Sequence, residues 1–453
     1  MFKPELLSPA GSLKNMRYAF AYGADAVYAG QPRYSLRVRN NEFNLENLKL
    51  GIDEAHQLGK QFYLVNNIAP HNGKLKTFLK DIAPVIQMRP DALIMSDPGL
   101  IMMVRENFPD MPIHLSVQAN AVNWATVKFW QQQGIERVIL SRELSLDEIE
   151  EIRFKCPDIE LEVFVHGALC MAYSGRCLLS GYINKRDPNQ GTCTNSCRWK
   201  YDAHEAKETD TGDVIATKPI EIYTPEEKPI DDIVLLQEQG RPGEYMPAFE
   251  DEHGTYIMNS KDLRAVEHIE RLVKMGVHSL KIEGRTKSFY YCARTAQIYK
   301  QAINDALANR PFNPSLNTDL EHLAHRGYTE GFLQRHRHGD TQNYDYGYSK
   351  SDTQQFVGEV MGRNDQTGYI EIDVKNKFLL GDKLELMTPQ GNITFTLAHM
   401  ENLKGEAIDD AKGSGHKVAI ALDTDIDLSF GIIMRFLDEG GTTRHPFAQN
   451  QAQ

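Results

Sequence analysis

The sequence predicts an α/β chain: a (β/α)8, TIM-like barrel with a cysteine-bearing insertion after its seventh strand, then a small antiparallel β-barrel domain. Three observations predict it. Over roughly the first 300 residues, short apolar β-branched runs alternate with longer amphipathic segments, the rhythm of βαβ units. No G-x-G-x-x-G follows the first strand, which disfavours the alternative, an open doubly wound sheet. From about Gln355 the pattern changes to short strands punctuated by Gly and Asn-Gly-like turns, as an antiparallel β-domain requires.

Taken in order, strands are expected at Glu5–Leu7, Ala26–Ala29, Phe62–Asn66, Ala92–Met95, Ile113–Val117, Arg137–Leu140, Leu161–Val165 and Ser279–Ile282. Eight such units suit a closed barrel of about 250 residues before insertions. Between them lie helical stretches such as "SLKNMRYAFAYGA", "NLENLKLGIDEAHQLGK", "DPGLIMMVRENFP", "NWATVKFWQQQG" and "SLDEIEEIRFKCP". Several end in Gly, which the left-handed residue after a helix favours. Ser145 and Glu148 have capping-box spacing ahead of Ile149 and Ile152. "SPAGS", Ser8–Ser12, reads as a tight turn at a helix start, with a phosphate cradle as the weaker alternative.

The rhythm breaks after the seventh strand, where more than a hundred residues intervene before the eighth. The cysteine segment comes first, then the polar, acidic "HEAKETDTGDVIATKPIEIYTPEEKP". A strand, a helix and the last barrel strand resume in "YIMNSKDLRAVEHIERLVKMGVHSLKIEGR". A helix is expected over "SFYYCARTAQIYKQAINDALAN" and a linker over "RPFNPSLNTD". The expected organisation is a barrel over 1–305 with its insertion at 167–258, a helical or linker segment over 306–354, a β-domain over 355–440 and a frayed tail over 441–453. Barrel active sites lie at the C-terminal ends of the strands, so an insertion after the seventh strand overhangs that face.

The 453 residues are 41% apolar and 25% charged, the balance of a globular chain with a core. No apolar run reaches eighteen residues and the N-terminus lacks a secretory pattern, so a cytoplasmic chain without membrane contact is expected. The net charge of −12 argues against non-specific coating of DNA but leaves room for one basic face that binds RNA.

Four of the six cysteines fall in one stretch, spaced Cys170-x6-Cys177-x15-Cys193-x3-Cys197. In a reducing compartment such a cluster points to metal binding or redox work rather than disulfides. Four thiolates hold either a tetrahedral zinc or an iron–sulfur cluster. Only Cys193 and Cys197 have the short spacing typical of zinc ribbons, and spacing alone leaves iron–sulfur, zinc and no metal all open. Cys156 and Cys292 stand apart from the cluster and read as structural.

The block "EVFVHGALCMAYSGRCLLS" resembles the signature of peptidase family U-32, the collagenase-like peptidases, through Glu162, Phe164, His166, Gly167, Ala168, Cys170, Gly175, Cys177 and Ser180. "LLSPAGSL", "GADAVYAG", "MNSKDL", "KIEGRTKS" and "HRGYTEGF" extend the resemblance over nearly the whole chain. It is closest to the branch that makes 5-hydroxyuridine at the wobble position of tRNA. The resemblance implies a 4Fe-4S cluster held by Cys170, Cys177, Cys193 and Cys197, oxygen-independent hydroxylation linked to prephenate as co-substrate, and iron–sulfur assembly and electron-donor proteins as partners. Some relatives place a fourth cysteine ligand just after the block matching "SKDL"; here that position is Arg264, which leaves Cys197 as the remaining candidate.

Residues at the expected strand ends suit such a substrate. Arg33, Arg37 and Arg39 follow the second strand, Arg142 the sixth, and Lys281, Arg285 and Lys287 belong to the eighth. The cysteine loop adds Arg176, Lys185, Arg186, Arg198 and Lys200. Forked guanidinium groups would grip phosphates or carboxylates. Tyr34, Tyr173, Tyr182 and Trp199 would stack the bases of an anticodon loop. Asn66, Asn67, Gln118, Asn120, His166 and Glu283 are polar where a barrel interior is usually apolar. The expected substrate contacts are Arg37, Arg39, Gln118, Asn120, Arg142, Tyr173, Lys281 and Arg285. His166 and Glu283 are the expected acid–base residues, with His166 equally readable as structural. A peptidase is the alternative, but H-E-x-x-H and G-x-S-x-G are absent; a non-catalytic cluster-bearing RNA-binding scaffold is the other.

Overall fold

All eight expected strands form, and they close into a ring. The computed structural model describes residues 2–36, 41–169, 261–325, 327–334 and 353–437, with the backbone of five short strands between 204 and 256. β1 (Glu5–Pro9), β2 (Ala26–Gly30), β3 (Gln61–Asn66), β4 (Ala92–Met95), β5 (Ile113–Leu115), β6 (Arg137–Ile139) and β7 (Glu160–Ala168) pair in parallel and in chain order. Helices α1 (Leu13–Ala21), α2 (Leu45–Gln57), α3 (Asn72–Gln87), α4 (Pro98–Asn107), α5 (Trp124–Gln132) and α6 (Leu146–Lys155) join them. Caps set most helix starts: the side chains of Ser12, Asn44, Asp97 and Asn123 each accept a backbone N–H from the first turn. Ser145 and Glu148 close the expected capping box on α6.

The insertion carries β8 (His204–Glu208) paired with β9 (Val214–Pro219), and an antiparallel run of β10 (Val234–Gln237), β11 (Tyr245–Asp251) and β12 (Gly254–Tyr256). The chain returns through β13 (Asp262–Arg264), antiparallel to the end of β7, with Asp262 opposite Ala168. α7 (Ile269–Lys274) then leads into β14 (Ser279–Ile282), which pairs in parallel with both β7 and β1 and closes the barrel.

α8 (Phe289–Leu307), capped by Ser288, buries most of its length between the barrel and the β-domain. The stretch expected as a linker holds a further helix, α9 (Ser315–Glu321), because Leu316 and Leu320 are apolar at helical spacing and are buried. β15 (Tyr328–Thr329) adds to β13 in parallel.

The antiparallel domain is a sheet in the order β20-β19-β24-β16-β17-β23-β21, with a separate β18–β22 pair. Its strands are β16 (Gln354–Arg363), β17 (Ile370–Val374), β18 (Phe378–Leu379), β19 (Lys383–Thr388), β20 (Gly391–Thr396), β21 (Met400–Asn402), β22 (Asp410–Ala411), β23 (Lys417–Ile420) and β24 (Ile432–Phe436). Among the described residues no ladder joins the edges β20 and β21, so the element expected as a small barrel is an open antiparallel sheet. Its core comprises Val357, Ile370, Ile372, Leu384, Leu386 and Ile433.

The two domains share buried contacts. Arg294 on α8 is fully buried and reaches Glu385 on β19 at 2.5 and 3.3 Å, with Gln354 at 3.0 Å from the same carboxylate. Burial opposes the charge on Glu385, but Arg294 outweighs it and holds the carboxyl below its usual range. The hydroxyl of Tyr22 lies 3.0 Å from the Met387 carbonyl and 2.8 Å from that of Phe430. Met387, Ile432 and Met434 complete the barrel's own apolar core, so the β-domain is packed onto the barrel's flank.

Candidate active site at the barrel mouth

The lower lumen of the barrel is ionic rather than apolar. Arg137 on β6 reaches Glu5 on β1 at 2.7 Å, and Glu160 and Glu162 on β7 at 2.8 and 3.3 Å. Tyr63 on β3 donates to Glu5 at 2.5 Å and Ser279 on β14 donates to it at 2.9 Å. Lys281 lies 2.7 Å from the other oxygen of Glu162, which is wholly buried. Burial raises the Glu5 carboxyl despite Arg137, and burial lowers the Lys281 ammonium despite Glu162. Within "ELEVF", Glu160, Glu162 and Phe164 alternate onto one face, a pattern that could have revealed this network in the sequence. The expectation that Lys281 meets substrate is therefore revised. It sits inside the barrel, 3% exposed, bound to Glu162, with Tyr28 and Phe164 ring centres at 4.3 and 5.5 Å.

Above this layer the mouth is cationic and amide-lined. Arg142, just past β6, lies over the Phe164 ring at 3.9 Å. Arg285, beyond β14, donates to the Leu36 carbonyl at 2.6 Å and stands 5.9 Å from the Tyr28 ring. A side chain at Gly30 would place its Cβ 2.4 Å from the Ser35 hydroxyl and 2.6 Å from the Arg285 guanidinium, so glycine at the end of β2 leaves room for both. The Leu36 N–H donates to Asn67 at 3.0 Å, and the Asn67 amide donates to Gln118 at 2.9 Å. Ser116 also bonds Gln118. A hydrogen-bonded series thus runs from Arg285 to Gln118 across the mouth. It borders a cavity of about 130 Å³ lined by Leu36, Asn67, Ala69, Ser96, Asp97, Pro98 and Gln118.

Sequence expected β5 to extend through Val117, but a 3-10 turn forms instead at Val117–Ala119 and ends on Asn120 at φ 52°. Asn adopts that left-handed geometry more readily than most residues. The Asn120 amide donates to the Gln118 carbonyl at 3.0 Å, so it shapes the turn that presents Gln118.

His166 is not in the lumen. Lys281 pairs with Phe164 but the next residue, Ile282, pairs with His166. Val165 is therefore the extra residue of a bulge, and a bulge re-aims the side chain that follows it. The His166 ring turns outward under α8 and β15, among Tyr291, Tyr299 and Tyr328 at 5.4–5.8 Å between ring centres. Nδ1 is 3.2 Å from the Tyr299 hydroxyl, which itself donates to the Val165 carbonyl at 2.8 Å. That hydroxyl must accept from Nδ1–H, so the proton of the neutral ring is on Nδ1. Burial pushes the His166 pKa down to about 3. At neutral pH it holds no extra proton to give, and the structure makes it a buried packing residue rather than the expected proton carrier.

Glu283 follows β14 and is half-buried. Its backbone N–H donates to the His166 carbonyl at 2.8 Å and its own carbonyl accepts from Tyr291 at 2.6 Å. A Cβ at Gly167, which has φ +107°, would lie 2.5 Å from the Glu283 carbonyl oxygen, so glycine is required for this crossing. Tyr299, Tyr328 and Asp262 around His166 were not anticipated; nothing in their sequence spacing marks them.

Arg37, Arg39, Tyr173, Cys170, Cys177, Cys193 and Cys197 lie outside the described residues. The described chain does fix where the insertion leaves and rejoins the barrel: Ala168 and Asp262 pair across β7 and β13 at the mouth. Cys156 and Cys292 are buried and their thiols bond the Trp124 and Pro9 carbonyls, each at 3.5 Å. Burial pushes the Cys292 thiol up to about 12, so it is no nucleophile. Among the described residues no group of three or more His, Cys, Asp or Glu is arranged to hold a metal ion.

Residues 11–343 match peptidase family U32 and residues 352–435 match the peptidase family U32 C-terminal domain. The chain belongs to peptidase family U32. It is similar to the tRNA hydroxylation protein P of Escherichia coli (strain K12), at 70% identity over 98% of this chain and 99% of that one. It is 67% identical to the Haemophilus influenzae protein of the same name, over 98% of each chain. A more distant member, the 23S rRNA 5-hydroxycytidine C2501 synthase of Escherichia coli (strain K12), is 28% identical over 86% of this chain and 53% of its own length. No helix among the described residues is long and apolar enough to cross a membrane.

Proposed function

We propose that this chain hydroxylates tRNA, converting the wobble uridine of the anticodon loop to 5-hydroxyuridine at the mouth of the barrel. The observation that carries the reading is the 70% identity, over essentially both full lengths, to a tRNA hydroxylation protein. The mouth fits an anionic, single-stranded substrate. Arg142 and Arg285 supply forked donors for phosphate or carboxylate, each held beside a buried ring, Phe164 and Tyr28. These arginines lie at the strand ends where barrel enzymes bind substrate.

The reading includes a 4Fe-4S cluster held by Cys170, Cys177, Cys193 and Cys197. Four thiolates are a fitting donor set, and Cys170 follows the end of β7 at Ala168 by two residues. Such a group would supply electron transfer or substrate coordination. The chain's own residues would bind and orient: the arginines hold the RNA backbone and a small carboxylate co-substrate, with prephenate the proposed one, and the amides of Asn67 and Gln118 meet the base. The packed β-domain keeps α8, and through it the His166 layer, fixed beneath the site.

The peptidase implied by the family's name finds little support. The described cysteines are buried and protonated, and His166 has its Nδ1 tied to Tyr299. Nucleoside analysis of tRNA from a strain lacking its own copy, with and without this chain, tests the proposal. Return of 5-hydroxyuridine supports it; its continued absence refutes it. Iron and sulfide analysis of protein purified without oxygen tests the cluster separately, and metal-free or zinc-only protein would remove it from the account.

A further inference from the structure

We infer that the cavity beside Gln118 is the base-reading subsite, and that Gln118 and Asp97 together select uracil over cytosine. The inference rests on the proposed tRNA uridine chemistry and deepens it. It begins with an orientation the structure fixes. The Leu36 N–H can only donate, so the Asn67 atom it meets at 3.0 Å is Oδ1. Asn67 Nδ2 is then the arm 2.9 Å from Gln118, and the Gln118 atom it meets is Oε1. Ser116 bonds the same oxygen. Gln118 therefore keeps its Nε2 amide NH2, a pure donor, without a partner among the described residues.

The cavity lining also offers the complementary group. One oxygen of Asp97 accepts the Leu100 N–H at 2.9 Å as the cap of α4. Its second oxygen, an acceptor, has no partner among the described residues. Both residues line the same cavity of about 130 Å³, room for roughly four waters at about 30 Å³ each, the scale of one six-membered ring. Uracil presents an O4 acceptor beside an N3–H donor. A donor from Gln118 and an acceptor from Asp97 on the lining of one cavity match that edge. Cytosine presents a 4-amino donor beside an N3 acceptor, the reverse order, so each contact would meet its like. Polar groups left unpaired in a site built to hydrogen-bond its ligand give strong discrimination. The series from Arg285 through Leu36 and Asn67 also links the cation at the mouth to the reader of the base.

Gln118→Glu replaces the donor with an acceptor and Asp97→Asn replaces the acceptor with a donor. Each keeps the shape of its side chain, and Asn keeps a favoured helix cap. Wild-type chain and the two variants, as full-length proteins, would be supplied to a strain lacking its own copy, and 5-hydroxyuridine in total tRNA measured by mass spectrometry. Purified variants would be checked for thermal midpoint and metal content. The expected result is a fall of about ten-fold or more for each variant, the scale of a lost base-edge pair, with midpoint and metal unchanged. Wild-type levels in Gln118→Glu overturn the inference and leave the tRNA reading standing. A fall that tracks a lower midpoint or lost metal assigns Gln118 a structural role and also overturns it. Failure of the wild type itself to restore the nucleoside removes the reading and the inference together.

Discussion

The lower lumen and the mouth of this barrel are both polar, yet they are polar in different ways. In the lower lumen, Glu5, Tyr63, Arg137, Glu162, Ser279 and Lys281 bond one another across five strands. At the mouth, Gln118 and Asp97 each spend one end of the side chain on the protein and keep the other unpartnered among the described residues. Satisfied buried networks fix a fold, while polar groups left over in a concave site are available to a ligand. The difference separates residues that hold the barrel from residues left available to a ligand, although the sequence presents both as charged or amide side chains near strands.

The largest effect that would break this comparison comes from the lower lumen. Glu162→Ala leaves Lys281 and part of Arg137 uncompensated, and removing one partner of a buried pair costs about 3–5 kcal/mol. Denaturant titration should show that loss, or the variant should fail to fold; a change below about 1 kcal/mol would mean that water already reaches the pair. At the domain boundary, Arg294→Met should cost a similar amount by stranding Glu385, and adding Glu385→Leu should recover most of it. A double variant no more stable than the single one would show that the pair does not act as a unit.

At the mouth the order of effects should reverse. Arg142→Ala should leave the denaturation midpoint close to wild type, since its described contact is with one aromatic face, and should lower tRNA hydroxylation by about ten-fold, the scale of one charge-assisted bond. Equal activity would remove Arg142 from the site. Between the two regions, Gly30→Ala should cost about 1–3 kcal/mol by crowding and should also displace Arg285, so both stability and activity fall.

A further effect concerns pH. His166 has a folded pKa of about 3 against an unfolded value of about 6.5. Between those values the unfolded chain binds the extra proton, so stability falls as pH drops through that window, by up to about 1.4 kcal/mol per unit. His166→Gln should flatten the stability–pH curve by one proton's worth. An unchanged slope between about pH 7 and about pH 5 would show that His166 is not buried neutral.

Much of this was legible in the sequence. The eight strand positions follow from the spacing of apolar runs, and the capping box of Ser145 and Glu148 from two residue types three apart. Gln118, Arg142 and Arg285 are placed at the mouth by their position just past strand ends, which the strand spacing gives. The orientation of His166 was not legible, because one inserted residue, Val165, reverses the face and leaves no mark in composition. Nor was the capture of Lys281 by Glu162, since a strand-end lysine reads alike whether it faces solvent or a carboxylate across the lumen. The helix at Ser315–Glu321 was hidden by the prolines and asparagines before it.

The central claim is that the mouth, with Arg142 and Arg285 at its rim, is where this chain hydroxylates tRNA. The most direct test is the 5-hydroxyuridine content of tRNA in a strain lacking its own copy, supplied with wild type or with the Arg142→Ala, Arg285→Ala double variant at equal levels of folded protein. Restoration by the wild type, and less than about a tenth of it by the double variant, are expected. No restoration by the wild type, or equal restoration by both, would contradict the claim.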